Sequence, residues 1–89
     1  MRTAPDELLL LAAAAEIKAR RTKIRISQEE LAHRAGVHRS YIARLEVANT
    51  QPTLATLLRL ADALEIEPAD LVAGITERYA RELRQVREP

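Results

Sequence analysis

Residues 27–46, SQEELAHRAGVHRSYIARLE, constrain the fold more than any other part of the chain. Ser27 followed three residues later by Glu30 has the spacing of a capping box, which begins a helix. Gly36 adopts positive φ without a steric cost and therefore ends this helix in a tight turn. A second helix starts near His38, with a polar, basic outer face. The residues that this pattern buries are Leu31, Ala32, Ala35, Val37, Ile42 and Leu45.

Two short helices joined by a glycine-bearing turn, the second with a basic outer face, make a helix-turn-helix motif. The chain has 89 residues, enough for one domain spanning residues 1–89. It is rich in Ala and Leu, has only 2 Gly, and 30% of its residues are charged. This composition predicts an all-α fold. Without cysteine, neither a disulfide scaffold nor a cysteine zinc site can form, which fits a reducing compartment.

The helix before the motif ends near Lys23 and carries four consecutive leucines, residues 8–11. One helical face cannot bury all four, so some of them must meet either the C-terminal helix or a second subunit. The run of residues 8–15 is far shorter than the ~20 residues of a membrane span. Acidic residues also stand where a signal peptide needs positive charge. We therefore expect a cytoplasmic protein with no membrane segment.

Two more helices follow the motif. Thr53 is the predicted cap of the fourth helix, whose core residues would be Leu54, Leu57, Leu58, Ala61 and Leu64 with Leu60 beside them. Pro68 lies in the first turn of the fifth helix, where its missing N–H costs nothing. Gly74 either ends this helix or lies within a longer one that continues as a C-terminal extension over residues 75–87. The extension would pack Ile75, Tyr79, Leu83 and Val86, with Arg78, Arg81, Arg84 and Arg87 outside.

The charge is unevenly distributed, although the net charge is only +1. Residues 18–44 hold eight Lys or Arg and two Glu, a local charge of +6. A basic patch on a helix-turn-helix favours a polyanion partner. The alternative interpretation is a charged surface that contacts only solvent.

The spaced pattern SQEELA-x-x-AGV-x-x-SYI-x-x-LE, placed before a Pro-Thr-Leu helix start, resembles the Cro/phage-repressor type of helix-turn-helix, the XRE family. The resemblance covers about residues 17–72 and implies a five-helix, lambda-repressor-like DNA-binding domain. Its core would be residues 17–72, its helix-turn-helix residues 27–46, with an extended N-terminal helix and a C-terminal helical extension. The matching positions are Ser27, Gln28, Leu31, Ala32, Gly36, Val37, Ser40, Tyr41, Ile42, Leu45, Glu46, Pro52, Leu64 and Leu71.

The resemblance implies that the second motif helix enters the DNA major groove. Arg39 and Arg44 would then bind guanine edges bidentately or, alternatively, contact phosphate or merely solvate the helix. Ser40 would form a hydrogen bond with a base or a phosphate, or remain a solvent-exposed hydroxyl, and His38 would cap the helix. Gln28 would touch a phosphate at the start of the first motif helix, and the Tyr41 hydroxyl would either do the same or cover the core edge. The full implied DNA-binding set is Gln28, His38, Arg39, Ser40, Tyr41, Ala43, Arg44, Asn49 and Thr50.

Two further positions match family residues that pair inside the domain. Arg21 and Glu46 would tie the first helix to the end of the recognition helix, a structural role in which loss of either partner leaves a buried charge. Departures from the family pattern also matter. Arg25 and Ala48 stand where the family has glycines, so those turns must be strained or built differently. Residues 47–53 lack the Arg or Lys that the family offers to phosphate, which predicts a shallow salt dependence.

The first functional hypothesis is a sequence-specific transcriptional regulator that binds operator double-stranded DNA as a homodimer. The second is an antitoxin-type repressor that also binds a protein toxin, and the third a protein–protein adaptor that kept the fold without DNA binding. The sequence shows no nucleophile–base pair and no glycine-rich phosphate loop, so we expect no enzyme and no cofactor. His33 and His38 lie on different helices without a third ligand, so no metal site is expected.

Overall fold

A computed structural model of the protein describes the backbone of residues 5–87 and the side chains of residues 7–87. Five helices and no strand lie within these residues, which confirms the predicted all-α, five-helix fold with an extended first helix. The helices are α1 (Pro5–Lys23), α2 (Gln28–Ala35), α3 (Arg39–Glu46), α4 (Leu54–Ala63) and α5 (Pro68–Arg87).

The first helix of the motif begins and ends at the predicted residues. The Ser27 side chain accepts a hydrogen bond from the Glu30 N–H at 3.0 Å, and Gly36 ends the helix with φ of 70°. Only half of the capping box forms, because the Glu30 carboxylate accepts a hydrogen bond from Arg34 at 2.9 Å. The capping therefore depends on the Ser27 hydroxyl, which is worth ~1 kcal/mol in helices of this kind.

Four helices end in the same way, with one left-handed residue. Arg25, Gly36, Ala48 and Glu65 have φ of 60°, 70°, 60° and 62°. In each case the N–H of the next residue donates to a carbonyl five residues back, as Asn49 does to Arg44 at 2.9 Å. This is the hydrogen bond of a Schellman motif. The turns at Arg25 and Ala48 thus keep the geometry that suits glycine and carry the strain of a side chain in it.

The core joins all five helices, and its largest fully buried side chains are Ile17, Leu31, Ile42, Leu45, Leu60, Leu64 and Leu71. Helix α1 packs along α5. Within the single chain Leu8 is buried and Leu9 and Leu10 are half-buried, so only Leu11 of the leucine run is exposed. Of the two predicted partners for this run, the C-terminal helix or a second subunit, packing within the chain already covers most of it.

Helix α5 is continuous through Gly74, and the glycine makes room for a buried carboxylate. A Cβ at position 74 would lie 2.5 Å from the Glu16 Cδ atom. Glu16, itself buried, accepts hydrogen bonds from Arg20 at 2.7 Å and from Arg78 at 2.8 Å. The prediction that Arg78 lies outside is therefore wrong, because the carboxylate of α1 draws its guanidinium into the α1–α5 interface.

The predicted core face of α4 is partly wrong. Leu54 and Leu58 are 73% and 48% exposed, whereas Leu60, Ala61 and Leu64 are buried. The leucines of this helix form two overlapping stripes, and periodicity alone does not choose between them. Packing against α2 and α5 selects the stripe that contains Leu60.

Candidate nucleic-acid interface

Helix α3 buries one side and leaves the opposite side open to solvent. Ile42, Leu45 and Glu46 are buried, which turns Arg39, Ser40 and Arg44 outward, all three exposed. Ala43 lies on the same outer surface and is half-buried. His38 occupies the N-cap position in an extended conformation, but its side chain makes no capping hydrogen bond. His38 thus occupies the expected cap position, but its side chain does not satisfy a backbone N–H of the helix.

A single carboxylate fixes the position of α3 relative to α1 and α2. Arg21 donates to both Glu46 oxygens, at 2.6 and 2.9 Å, and Gln28 donates to the same carboxylate at 3.1 Å. Arg21 also donates to the Ile26 carbonyl oxygen at 2.8 Å. Burial raises the pKa of Glu46, but the hydrogen bonds from Arg21 and Gln28 outweigh it and leave the pKa below its ordinary value. Glu46 is therefore a charged anchor at neutral pH.

Gln28 lies at the start of α2, half-buried, with one of its amide N–H groups used by Glu46. A side-chain amide carries two N–H donors and a carbonyl acceptor, so one donor remains beyond this contact. Gln28 thus lies where α2 begins beside the end of α3, and its hydrogen bond joins two residues that are 18 positions apart in the sequence.

Tyr41 and Arg44 form a second contact along α3. The Arg44 guanidinium lies 5.9 Å from the centre of the Tyr41 ring, within the range of a cation–π interaction. The Tyr41 ring is half-buried against the core. Burial raises the pKa of Tyr41, and the nearby Arg44, Thr56 and Arg59 offset only part of that effect. The hydroxyl therefore stays neutral and able to donate a hydrogen bond.

The segment after α3 holds the last two predicted positions. Asn49 is exposed and Thr50 is half-buried in the uncharged loop between α3 and α4. The backbone N–H of Asn49 bonds back to the Arg44 carbonyl oxygen, which fixes the start of the loop against α3. The nine predicted DNA-binding residues thus lie on α3 or at its N-cap, on the loop that follows it, or at the start of α2.

Fewer cations of the basic segment, residues 18–44, are free to bind a polyanion than the sequence suggests, because three of them form ion pairs. Arg20 and Arg21 pair with Glu16 and Glu46, and Arg34 pairs with Glu30 at 2.9 Å and Glu65 at 3.0 Å. These three cations are thus paired with carboxylates of the chain itself. Among residues 7–87, Arg39 and Arg44 make no hydrogen bond or ion pair to an acidic group.

One cation near α3 was missed because it lies outside the basic stretch. Arg59 of α4 donates to the Thr56 hydroxyl at 3.3 Å and is close enough to Tyr41 to affect its pKa. Its only sequence signal is a three-residue spacing from Thr56, which places both on one side of α4.

The described part of the chain contains no group of three or more His, Cys, Asp or Glu that could hold a metal ion. None of the helices in that part combines the length and the apolar character that a membrane span requires.

Several solved structures resemble this chain. The restriction-modification controller protein C.AhdI from Aeromonas hydrophila is 37% identical, over 70% of this chain and 94% of that one, with a TM-score of 0.68. The DNA-binding domain of the P22 c2 repressor is 35% identical, over 67% and 79%, with a TM-score of 0.65. The clp gene regulator ClgR from Corynebacterium glutamicum shares the fold, with 23% identity over 86% and 82% and a TM-score of 0.80.

No curated protein sequence matches the chain. A family model described as helix-turn-helix matches residues 17–71, which is more than half of the chain and contains the whole α2–α3 motif. Two of the similar structures exceed 30% identity, the C.AhdI controller protein and the P22 c2 repressor DNA-binding domain. The chain therefore belongs to the Cro/phage-repressor type (XRE) of helix-turn-helix proteins.

Proposed function

We propose that the protein is a sequence-specific transcriptional regulator that binds operator DNA as a homodimer, with the helix of residues 38–46 in the major groove. One observation carries this proposal: the outer side of α3 presents Arg39, Ser40 and Arg44 to solvent while its inner side is fixed by the buried Glu46. A helix held in this way presents its outer side chains at fixed positions and orientations, as base recognition requires.

Arg39 and Arg44 are the residues that read bases. A guanidinium matches the O6 and N7 acceptors of guanine in the major groove, and each good bidentate pair contributes roughly 1–3 kcal/mol of discrimination. Arg44 is steadied by the Tyr41 ring, so less side-chain freedom is lost when it binds. His38, Ser40 and Ala43 complete the surface that faces the groove.

Gln28, Tyr41, Asn49 and Thr50 position the protein on the DNA backbone. Gln28 retains one donor beyond its bond to Glu46, and the first turn of α2 adds the favourable field of a helix N-terminus for phosphate. Tyr41 supplies a neutral hydroxyl donor. Contacts of this kind set register and affinity without carrying sequence information.

A homodimer is part of the proposal because one recognition helix covers only a few base pairs, and two half-sites lie about one helical turn apart. The exposed apolar surface that supports dimerisation lies on α4 and α5. Leu54 and Leu58 are one turn apart on α4, and Val72 lies on α5, which packs against α4. The leucine run of α1 supports it less, since the fold already buries most of that run.

The dimer surface is tested by Leu58→Arg, with Val86→Arg at the far end of α5 as the control. Both side chains are nearly half exposed, so neither substitution disturbs the core. Sedimentation equilibrium should give a monomer for Leu58→Arg and a dimer for Val86→Arg. A dimer in both variants, or loss of the dimer only in Val86→Arg, would move the interface away from α4.

DNA binding is tested by titrating the protein onto labelled DNA from upstream of its own gene and onto random duplex. The wild type should prefer one site by ~10³-fold or more. Arg39→Ala should flatten this preference, whereas Arg84→Ala, an exposed arginine of α5, removes the same charge and should preserve it. Equal, weak binding of the wild type to every duplex would refute the regulator and favour the protein–protein adaptor.

A further inference from the structure

The loop between α3 and α4 lacks a cation, and the structure brings one there from elsewhere. Residues 47–53 contain no charged side chain. The Arg59 guanidinium, six residues beyond the helix cap Thr53, turns back toward the start of α4, where its Nη2 donates to the Thr56 Oγ1 at 3.3 Å. The positive charge therefore lies beside the loop and not in it.

The surroundings of Arg59 are built from polar groups that hold one another in place. The Thr53 hydroxyl caps α4 by accepting the Thr56 N–H at 3.1 Å, and the two threonine hydroxyls lie 3.0 Å apart. Thr56 is buried, with 7% of its surface exposed. Tyr41 of α3 also lies near this threonine. The guanidinium, the Tyr41 side chain and the first turn of α4 thus lie near one another.

Arg59 differs from the arginines that stabilise the fold. Arg20, Arg21, Arg34 and Arg78 each donate to a glutamate carboxylate. Arg59 is exposed, and among residues 7–87 its one hydrogen-bond partner is a neutral hydroxyl. A guanidinium has five N–H donors, so four remain for an external acceptor.

We propose that Arg59 and Tyr41 together bind one phosphate of the DNA backbone, beside the groove that α3 enters. This inference rests on the proposed function and supplies the phosphate contact that residues 47–53 cannot make. Arg59 provides a charge-assisted hydrogen bond, Tyr41 a neutral O–H donor, and the start of α4 a favourable dipole for an anion. The ligand is a phosphodiester and no base is involved.

A phosphate contact has a signature that separates it from a base contact. Each phosphate neutralised by a cation steepens the dependence of log K on log salt by about 0.9 on duplex DNA. Loss of Arg59 should therefore weaken binding to every duplex by a similar factor, and reduce the salt slope by about 1.8 for a dimer. The preference for one site over random DNA should not change, because phosphates carry no sequence information.

The experiment compares the wild type with Arg59→Ala, Tyr41→Phe and Arg84→Ala on the preferred site and on random duplex, each over a range of salt concentrations. Arg59→Ala should lose about tenfold or more in affinity on both DNAs, with the reduced slope. Tyr41→Phe should lose affinity and keep the wild-type slope, because it removes a neutral donor. Arg84→Ala should keep the affinity and the slope. Unchanged thermal melting of each variant shows that the fold is intact.

Two results overturn the inference while the proposed function stands. One is a wild type that selects its site while Arg59→Ala keeps the same salt slope as Arg84→Ala. The other is a change in the preferred sequence upon Arg59→Ala, which would place Arg59 at a base. A wild type that does not distinguish its site from random duplex overturns the proposed function itself.

Discussion

Replacing Arg21 by Met removes the central partner of the Glu46 carboxylate while keeping much of the side-chain volume. Glu46 is buried, and its side chain is 2% exposed. The variant loses both Arg21–Glu46 hydrogen bonds and the bond to the Ile26 carbonyl oxygen, and it leaves the carboxylate with Gln28 alone. Breaking a buried ion pair from one side costs about 3–5 kcal/mol. We expect a loss of this size in the free energy of unfolding at pH 7.

The same variant should change the dependence of stability on pH. In the wild type the pKa of Glu46 is below its ordinary value of 4.5. Its contribution is therefore fully present above pH 4.5 and is lost as the pH falls through the lowered folded-state pKa. Without Arg21, burial dominates and raises the pKa of Glu46 above 4.5. Acidification toward pH 4.5 then removes the penalty, so the difference between wild type and Arg21→Met should shrink.

Urea denaturation followed by circular dichroism, at pH 7 and pH 4.5, measures both effects. Arg20→Met is the matched control, because Glu16 keeps Arg78 as a partner, and we expect a loss of about 1 kcal/mol or less. A loss below about 1 kcal/mol for Arg21→Met at pH 7, or a difference from wild type that is equal at the two pH values, would show that Arg21 does not stabilise the buried Glu46 carboxylate.

Three other substitutions test the fold. Gly74→Ala places a methyl group against the Glu16 carboxylate and should cost about 1–3 kcal/mol; an unchanged urea midpoint would contradict the packing. Ala48→Gly relieves a left-handed alanine and should raise stability by about 1 kcal/mol or less; a lower melting temperature would argue against strain there. Glu16 has a pKa that burial raises but the bonds from Arg78 and Arg20 lower below 4.5. Glu16→Gln should therefore lower the free energy of unfolding at pH 7 by about 1–3 kcal/mol. Below pH 4.5 the stability of the wild type should fall more steeply than that of the variant, because only the wild type loses the Glu16 charge. Parallel pH profiles of the two proteins would contradict this.

The motif itself could be predicted because its signals are local. A serine hydroxyl that caps an N–H three residues on, and a glycine with φ of 70°, depend on their neighbours in sequence and hardly on the rest of the fold. The burial of Ile42 and Leu45 follows from helical period alone. The family resemblance added the positions of the recognition surface, which no local rule provides.

The errors arose where two distant segments decide the outcome. Leu54 and Leu58 had the spacing of core residues, but α2 and α5 pack on the neighbouring stripe of α4. Arg78 had the spacing of a surface residue, but Glu16 lies opposite it, 62 positions away in sequence. Arg59 lies in the acidic part of the sequence, but in the folded chain it is near Tyr41. Each result depends on tertiary contacts that a pattern within one helix does not contain.

Selection of bound sequences from a random DNA library shows whether α3 reads bases. Wild type and Arg39→Ala are selected in parallel, with Arg84→Ala as the control. We expect a two-fold symmetric motif for the wild type and Arg84→Ala, with half-site centres about one helical turn apart. Arg39→Ala should lose the preference at one position in each half-site. No enriched motif for the wild type, or the same motif for Arg39→Ala, would contradict base reading by α3.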